Sequence, residues 1–349
     1  MNILIVKLSA IGDVIHTLPA LNAIRARYPD AHITWVVEEA AAGLIRGHRA
    51  LDRVLVSKRK AWIKSLCGTS RHLAMKEIRG FIRELRGTRY DMVLDFQALL
   101  KSGMIVALAR GGRKIGFDRG MEHMEHSYLF LNERIAPVDM NIHALTRNLM
   151  MLERIGIHSD RVVYDLPIQA EDRQTVARLT AGTASEGPLV AVNPMTRWDT
   201  KLWLNDRFAD LADRLVDGCR ARVVFTGSAE DHAVVEHIRA MMTQPSVNLA
   251  GQTTLMTLAA LYEKADVVVT TDTGPMHLAA AVGTPVVALF GPTAPWRTGP
   301  FGPQHRVIRA DLACSPCFKR HCDTTACMEH IRVDQVMEAV QDIMSRNSG

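Results

Sequence analysis

Short apolar runs alternate with segments of helical apolar spacing along the first half of the chain. Residues 3–6 form a fully apolar, β-branched run, which is typical of a buried parallel strand. Residues 14–28 then carry apolar side chains at helical spacing until Pro29 and Asp30 end the pattern. Further elements are predicted as strands at 32–37, 54–56 and 91–95 and a basic amphipathic helix at 68–87. This alternation predicts a doubly wound α/β domain.

The same alternation restarts in the second half. Strands are predicted at residues 189–192, 222–225, 265–269 and 285–290, with helices between them. Residues 182–188 are small, polar and turn-rich, so we place an interdomain link there. The prediction is two Rossmann-like domains, at 1–180 and 188–332, and a C-terminal helix at 333–349. Because ligands in such sheets bind beyond the carboxyl ends of the strands, we expect two such edges to face each other across a cleft.

Length and composition agree with two folded domains. The chain has 349 residues, of which 48% are apolar and 23% charged, and this composition disfavours the disordered and fibrous classes. The chain shows neither the pattern of a secretory signal nor an apolar run of about 18–20 residues, the length that crosses a membrane. We therefore expect a cytoplasmic protein.

The positive charge is concentrated in one segment. The formal net charge is +5, yet residues 58–89 contain ten Lys and Arg against only Glu77 and Glu84. This segment carries +8, so the remainder of the chain carries −3. A net charge of +5 spread evenly is too weak to indicate nucleic acid. A basic segment can instead hold the protein at a membrane surface or bind an anionic ligand.

The loop after the first predicted strand carries a carboxylate. Residues 7–19 lack the glycine pattern of dinucleotide sites and the Gly-Lys-Ser/Thr of phosphate-binding loops. Asp13 lies at the start of the next helix. Spacing alone favours a helix cap, although a carboxylate at this position can also serve as a general base.

The loop at residues 270–280 follows the most apolar strand of the second half. Thr273 and Gly274 lead into a helix, whose free N–H groups form a ready anion site, and a small glycine turn lets a diphosphate approach the backbone. Residues 291–293 end the next strand and would line the same edge. The alternative is an ordinary β–α turn in which Asp272 or Thr273 is the cap.

Two other loops follow strands of the second half. Thr196, Arg197 and Lys201 place a hydroxyl, a guanidinium and an ammonium within six residues, which suits a polyanionic ligand. Glu230 and Asp231 supply carboxylates that can accept hydrogen bonds from ribose hydroxyls. A solvated loop and a helix cap are the corresponding alternatives.

Four of the six cysteines crowd into one stretch near the C-terminus. Cys314, Cys317, Cys322 and Cys327 have a spacing that matches neither ferredoxin patterns nor paired zinc knuckles. Free thiols, a metal site and oxidative pairing all remain open.

Several stretches of the sequence resemble one enzyme family in the same order along the chain. They are Ile3-Leu-Ile-Val-Lys7, Ile11-Gly12-Asp13-Val-Ile-His16-Thr17-Leu-Pro19-Ala20, Trp35-Val-Val-Glu38-Glu39, Asp95-Phe-Gln97, Lys101-Ser102, Lys201-x-Trp203, Asp272-Thr273-Gly274-Pro275-Met-His277 and Phe290-Gly-Pro-Thr293. This set resembles glycosyltransferase family 9, the ADP-heptose:lipopolysaccharide heptosyltransferases, over nearly the whole chain. A Cys-Ser-Pro-Cys stretch like that at 314–317 also occurs in the family.

The resemblance implies a GT-B fold in which the C-terminal domain binds the donor and the N-terminal domain binds the acceptor. It implies inverting transfer of heptose from ADP-L-glycero-β-D-manno-heptose to the lipopolysaccharide inner core, without a required cofactor. The partners implied are ADP-heptose, an anionic glycolipid acceptor and the inner membrane surface, but no nucleic acid.

The family's functional residues map onto matching positions of this chain. Asp13 matches the proposed base, and Lys201 matches the phosphate-facing lysine. Where some members have two threonines, this chain has Met195 and Thr196, so only Thr196 can supply that hydroxyl. The predicted donor-binding residues are Thr196, Lys201, Glu230, Asp231, Asp272, Thr273, Gly274 and His277. The predicted acceptor-binding residues are Gly12, Lys64, Arg71 and Gln97.

Three alternatives stay open at this level. The acceptor could be Kdo, an acidic sugar, or a first heptose, and the stretch at 35–39 leans slightly towards Kdo. A non-catalytic sugar-nucleotide binder and a protein organised on a metal at the cysteine cluster are the others.

Overall fold

The computed structural model describes residues 1–68, 70–122, 124–182 and 186–347, which divide into two compact units, Met1–Pro167 and Ile168–Gly349. The strands of the first unit are β1 (Asn2–Val6), β2 (His32–Glu38), β3 (Arg53–Ser57), β4 (Arg89–Asp95), β5 (Arg110–Phe117) and β6 (Glu133–Ile135). Its helices are α1 (Ile11–Ile15), α2 (Leu18–Arg27), α3 (Glu39–Ala42), α4 (Arg59–Leu66), α5 (Arg71–Arg86), α6 (Leu100–Leu108) and α7 (Ala144–Glu153), with a 3₁₀ helix at His126–Phe130.

The second unit repeats this alternation. Its helices are α8 (Ala170–Leu179), α9 (Asn205–Cys219), α10 (His232–Met241), α11 (Leu255–Lys264), α12 (Gly274–Ala281), α13 (Pro295–Thr298), α14 (Ala326–Glu329) and α15 (Val333–Asn347), with 3₁₀ helices at Asp199–Lys201 and Ala229–Asp231. Its strands are β7 (Leu189–Asn193), β8 (Arg222–Phe225), β9 (Val247–Asn248), β10 (Val267–Thr271), β11 (Val286–Phe290) and β12 (Arg306–Arg309).

Both units contain a parallel sheet with the same strand order. Among the described residues, the first sheet runs β3-β2-β1-β4-β5-β6 and the second β9-β8-β7-β10-β11-β12. The strand order therefore reverses between β1 and β4 in the first unit and between β7 and β10 in the second. The predicted doubly wound α/β architecture is confirmed in each unit, and these reversal points are where such sheets bind ligands.

The central strands form because their side chains are apolar on both faces. Residues 3–6 of β1 and 267–269 of β10 are completely buried, as expected for strands covered by helices on both sides. β5 was not predicted, because it is rich in glycine and charge. Gly111 allows β5 to pair closely with β4. A Cβ at this position would lie 2.6 Å from Cγ2 of Val93 on β4, so the close pairing leaves no room for a side chain.

The boundary between the units differs from the predicted link at 182–188. It falls between Pro167 and Ile168, because α8 packs on α11 of the second unit. Arg173 pairs with Glu263 at 2.7 Å, and the Thr257 hydroxyl donates to Asp172 at 2.9 Å. The predicted first domain, 1–180, thus included a helix that belongs to the second unit. Residues 183–185 of the predicted link lie outside the described residues.

The C-terminal helix α15 is part of the second unit rather than a separate segment. It packs on α9, and its residues Val336, Val340 and Ile343 are buried in the core of that unit. Within the described ranges, we find no helix with both the length and the apolar character needed to cross a membrane.

Candidate functional site

Asp13 lies just beyond the carboxyl end of β1, at the strand reversal of the first unit. Its Oδ2 accepts a hydrogen bond from the Ala10 backbone N–H at 2.9 Å, so the carboxylate caps the start of α1. The side chain is only half-buried, and its position at the reversal point keeps it at the edge where ligands bind. Asp13 therefore does cap the helix, as its spacing predicted, and the cap does not exclude a role of the same carboxylate as a general base. Gly12 is buried in the same helix.

Gln97 fixes the backbone that leads to Asp13. It follows β4, the neighbour of β1, and its Oε1 accepts hydrogen bonds from the N–H groups of Leu8 at 2.9 Å and Ser9 at 3.1 Å. The Gln97 backbone is itself held, because its N–H donates to Oδ1 of Asp95 at 3.0 Å. The side-chain oxygen Oε1 of Gln97 is thus occupied by hydrogen bonds within the protein. The predicted acceptor contact of Gln97 stays a prediction, and the amide Nε2 is the group that would make it.

Buried charges surround these two loops. The Lys7 ammonium donates to the Phe96 carbonyl at 2.9 Å, and burial lowers the pKa of this lysine against the opposing fields of Asp13 and Asp95. Burial likewise raises the pKa of the Asp95 carboxyl, although hydrogen bonds from Gln97, Ser102 and Ala98 oppose the rise. A buried charge is costly unless it is paired or hydrogen-bonded, so Lys7 and Asp95 depend on these contacts to remain buried.

A second charged group lies at the end of β2. The Oε1 atom of buried Glu38 is 3.2 Å from Nζ of Lys101 and 3.4 Å from Nε of Arg59. Lys101 also donates to the hydroxyl of Ser9. These contacts bring cations from α4 and α6 to the same sheet edge as Asp13.

The predicted acceptor residues separate into two places. Gly12 and Gln97 lie in the loops after β1 and β4. Lys64 is exposed in the last turn of α4, and Arg71 is exposed at the start of α5. Arg59, at the start of α4, is the cation of this basic segment that the structure joins to the sheet edge.

The strand reversal of the second unit holds a lysine–aspartate pair. Nζ of Lys201 lies 2.6 Å from Oδ2 of Asp272, and the Thr293 hydroxyl donates to the same oxygen at 2.6 Å. The side chains of Lys201 and Asp272 are only 13% and 7% exposed. The Thr196 hydroxyl donates to the Asp272 backbone carbonyl at 3.3 Å. Loops after β7, β10 and β11 therefore converge, as their position at one sheet edge predicts.

α12 begins directly beside this pair. Thr273 is its N-cap residue in extended conformation, and Gly274 and Pro275 form its first turn. His277 is buried one turn further along the helix. Pro275 has no N–H and the Met276 N–H donates to the Thr273 carbonyl at 3.2 Å, so the N–H groups of Thr273 and Gly274 are the ones that an anion next to Lys201 could meet.

The two carboxylates that follow β8 have different surroundings in the structure. Oδ2 of Asp231 accepts hydrogen bonds from the N–H and the hydroxyl of Ser228, both at 2.7 Å, so this side chain stabilises its own turn. Glu230 is exposed on the same turn. Of these two carboxylates, Glu230 is therefore the one that stays exposed, while Asp231 is occupied within its turn.

Comparison with known proteins identifies the family. The profile of glycosyltransferase family 9 (heptosyltransferase) matches residues 78–327. The lipopolysaccharide heptosyltransferase 1 of Pseudomonas aeruginosa is 32% identical over 327 residues, covering 92% of this chain and 87% of that protein. The chain belongs to glycosyltransferase family 9. It is accordingly an enzyme of the heptosyl-transfer class.

Solved structures of family members have the same fold. The Escherichia coli heptosyltransferase WaaC with ADP superposes with a TM-score of 0.80 at 25% identity, covering 98% of this chain and all of that one. The same enzyme with ADP-2-deoxy-2-fluoro heptose gives a TM-score of 0.75 at 26% identity. The predicted GT-B-like α/β fold is thus confirmed for this family 9 enzyme.

The cysteine stretch contacts the loops that follow β7 and β11 in the second unit. The Cys317 N–H donates to the Pro292 carbonyl at 3.0 Å, and the Thr200 hydroxyl donates to the Lys319 carbonyl at 2.9 Å. All four thiols are free, and burial raises the pKa of Cys327. In the ranges that the structure describes, His, Cys, Asp and Glu form no group of three or more that could hold a metal ion.

Sequence reasoning left several of these contacting side chains out of the predicted site. Lys7, Glu38 and Lys101 appeared only as parts of family-like stretches, and Arg59 only as one charge of the basic segment. For Lys7 and Glu38 the available signal was a charged residue at the end of an apolar run, where a strand meets the ligand-binding edge. Their partners are distant in sequence, so the pairing itself was not predictable.

Replacing Gln97 tests whether this side chain positions the Asp13 loop. Gln97→Leu leaves two backbone N–H groups without their acceptor, and a displacement of about 1 Å at a reacting group can cost about 10²-fold in rate. We expect kcat for heptosyl transfer to fall about 10- to 100-fold, with the KM for the sugar donor unchanged.

The matched variant Gln97→Glu keeps the accepting oxygen, so its kcat should stay close to that of the wild type. If Nε2 also contacts the acceptor, both variants should raise the acceptor KM, whereas only the Leu variant should lower kcat. A wild-type kcat in the Leu variant would contradict the positioning role.

Proposed function

We propose that this enzyme transfers L-glycero-D-manno-heptose from its ADP-β-linked donor to the inner core of lipopolysaccharide. The observation that carries the proposal is the pair of sites at equivalent strand reversals, with a half-buried carboxylate in one unit and a cation beside a helix N-terminus in the other. The relatives named lipopolysaccharide heptosyltransferase and the structures of WaaC with ADP and with a heptose analogue support it.

The second unit is proposed to bind the nucleotide-sugar. The diphosphate would lie at the first turn of α12, near Thr273 and Gly274, with the Lys201 ammonium as its counter-charge. Asp272 holds Lys201 in place through the 2.6 Å contact, and Thr196 braces the same loop. Glu230 would receive the ribose hydroxyls, while Asp231 shapes the turn.

The proposed chemistry is a single displacement. Asp13 takes the proton of the acceptor hydroxyl as its oxygen bonds to the anomeric carbon, and the bond from that carbon to the ADP oxygen breaks. The configuration inverts, and no enzyme-linked sugar forms. Negative charge grows on the departing diphosphate, where Lys201 and the N–H groups of Thr273 and Gly274 stabilise it. On this proposal no metal or organic cofactor is required.

The acceptor is proposed to be an anionic glycolipid that carries Kdo. Lys64 and Arg71 supply exposed cations on the first unit, and guanidinium and ammonium groups match carboxylate and phosphate. The first heptose addition, onto Kdo, is the favoured step. The 32% identity to heptosyltransferase 1 of Pseudomonas aeruginosa supports it.

A transfer assay tests the proposal directly. The enzyme is incubated with ADP-heptose and Kdo₂-lipid A, and the product is analysed by mass spectrometry. We expect a gain of one heptose, unchanged by EDTA. A gain only on an acceptor that already carries heptose would assign the second addition, and a gain on neither acceptor would overturn the proposed function.

A further inference from the structure

The first part of the cysteine stretch, residues 314–320, is held by hydrogen bonds to two other loops. The Ser315 hydroxyl donates to the Gly291 carbonyl at 2.7 Å, in the loop after β11. The Lys319 carbonyl accepts the hydroxyl of buried Thr200 at 2.9 Å, in the 3₁₀ helix before α9. Both loops lie at the ligand-binding edge of the second sheet, so the residue that follows the segment is held at this edge as well.

Two cations contact the ring of Trp198 at this edge. Nζ of Lys201 lies 4.4 Å from the centroid of the ring, and Cζ of Arg320 lies 4.7 Å from the same centroid. A cation is attracted to the negatively charged face of an aromatic ring, so the half-buried Trp198 holds both side chains. The two charges are no further apart than the sum of these distances. The guanidinium of Arg320 is therefore a neighbour of the lysine at the proposed diphosphate position.

The protein neutralises only one of these two cations. Lys201 pairs with the Asp272 carboxylate at 2.6 Å, so the pair as a whole carries no net charge. Arg320 is exposed, and within the residues that the structure describes it forms no ion pair with a carboxylate. A diphosphate carries net negative charge and needs a cation that the protein has not already compensated. The charge of Arg320 is available to an anion that lies beside the pair.

We propose that the Arg320 guanidinium binds the diphosphate of the ADP-linked donor alongside Lys201. A guanidinium stays charged and can donate two parallel N–H groups to one phosphate. Its contact with Trp198 restricts the side chain before the ligand arrives, which lowers the entropic cost of binding. The same cation stabilises the charge that grows on the departing diphosphate. The inference rests on the proposed function for the identity of the ligand, and it gives the cysteine stretch a part in holding that ligand.

Calorimetric titration of the full chain with ADP tests this contact. Arg320→Gln should weaken ADP binding about tenfold, as expected for the loss of one charge-assisted hydrogen bond. Arg320→Lys keeps the charge without the paired N–H groups, so its affinity should lie between those of the wild type and the Gln variant. AMP is titrated in the same way, and adenosine is measured by its competition with ADP. Adenosine, which has no phosphate, should bind the wild type and the Gln variant equally.

The pattern across the three ligands identifies the group that Arg320 contacts. A loss for ADP alone would assign the contact to the terminal phosphate, and an equal loss for ADP and AMP would assign it to the first phosphate. Either result supports the proposal. An equal loss for all three ligands would show that Arg320 only maintains the loop, and unchanged ADP affinity would exclude the contact. Both of these results would overturn the proposal.

Arg346→Gln is the matched control. Arg346 is an exposed arginine of the same unit, and it pairs with Asp342, which also pairs with Arg306 at the start of β12. The start of this strand lies at the end of the sheet opposite to the ligand-binding edge. The variant should therefore bind ADP like the wild type, and a loss equal to that of Arg320→Gln would contradict a specific contact.

Transfer assays separate this inference from the proposed function. In Arg320→Gln the KM for the ADP-sugar should rise about tenfold, and kcat should fall because the leaving group loses a counter-charge. Wild-type KM and kcat in this variant would leave the proposed function standing and refute the role of Arg320. If ADP binding depends on Arg320 but the wild type transfers heptose to neither acceptor, the proposed function fails and the diphosphate contact stands. A wild type that binds no ADP would overturn both.

Discussion

Asp13→Asn should abolish most transfer while leaving the protein folded and able to bind ADP-heptose. Asn has the shape of Asp, and its Oδ1 can still accept the Ala10 N–H that the carboxylate accepts at 2.9 Å. The cap is therefore kept and only the proton acceptor is lost. We expect kcat to fall by about 10²–10⁴-fold, the usual contribution of a general base. Single-turnover rates with the Kdo-bearing acceptor measure this loss.

Asp13→Ala separates the two roles of this carboxylate. Ala removes the base and the cap together, so it should match the Asn variant in rate and also lower the stability by about 1 kcal/mol. Thermal melting detects that second effect. An Asn variant that transfers at the wild-type rate would leave Asp13 as a helix cap alone. An Asn variant that no longer binds the donor would assign it a structural role.

Lys201→Ala should weaken both donor binding and the chemical step. The lysine is paired with Asp272 at 2.6 Å and lies beside the first turn of α12. Its removal leaves the nearly buried Asp272 carboxylate uncompensated, at the position proposed for the diphosphate. We expect kcat/KM to fall about 10²–10³-fold, similar to the loss of one transition-state hydrogen-bond donor elsewhere. Steady-state kinetics and ADP titration calorimetry measure the two parts.

Two variants make this result interpretable. Lys201→Arg keeps a cation and should retain more activity than Ala. Lys264→Ala removes a lysine from the same unit at the far end of α11, where it donates to the Thr180 hydroxyl, and should leave kcat/KM unchanged. Unchanged kcat/KM in Lys201→Ala would exclude the lysine from the donor site.

Local pattern was sufficient to predict most of the elements that position the sites. The apolar runs in β1, β7 and β10 identified central strands, because only strands covered on both faces tolerate such composition. The polar residues that follow these runs were predicted as candidates because strand ends form the ligand-binding edge. Asp13, Lys201 and Asp272 were all found in this way.

The sequence by itself determined the fold class, the strand-end loops and the residue types available there, since these depend on periodicity and turn chemistry within short windows. Only the tertiary structure decided which of those residues meet. Lys201 and Asp272 are 71 positions apart, and Gln97 and Leu8 are 89 apart, yet each pair is in contact. Sheet order brings them together, and sheet order comes from packing between distant segments. Packing also made the glycine-rich β5 a strand, because it pairs with β4. Packing placed α8 in the second unit, because α8 contacts α11 there and Arg173 pairs with Glu263.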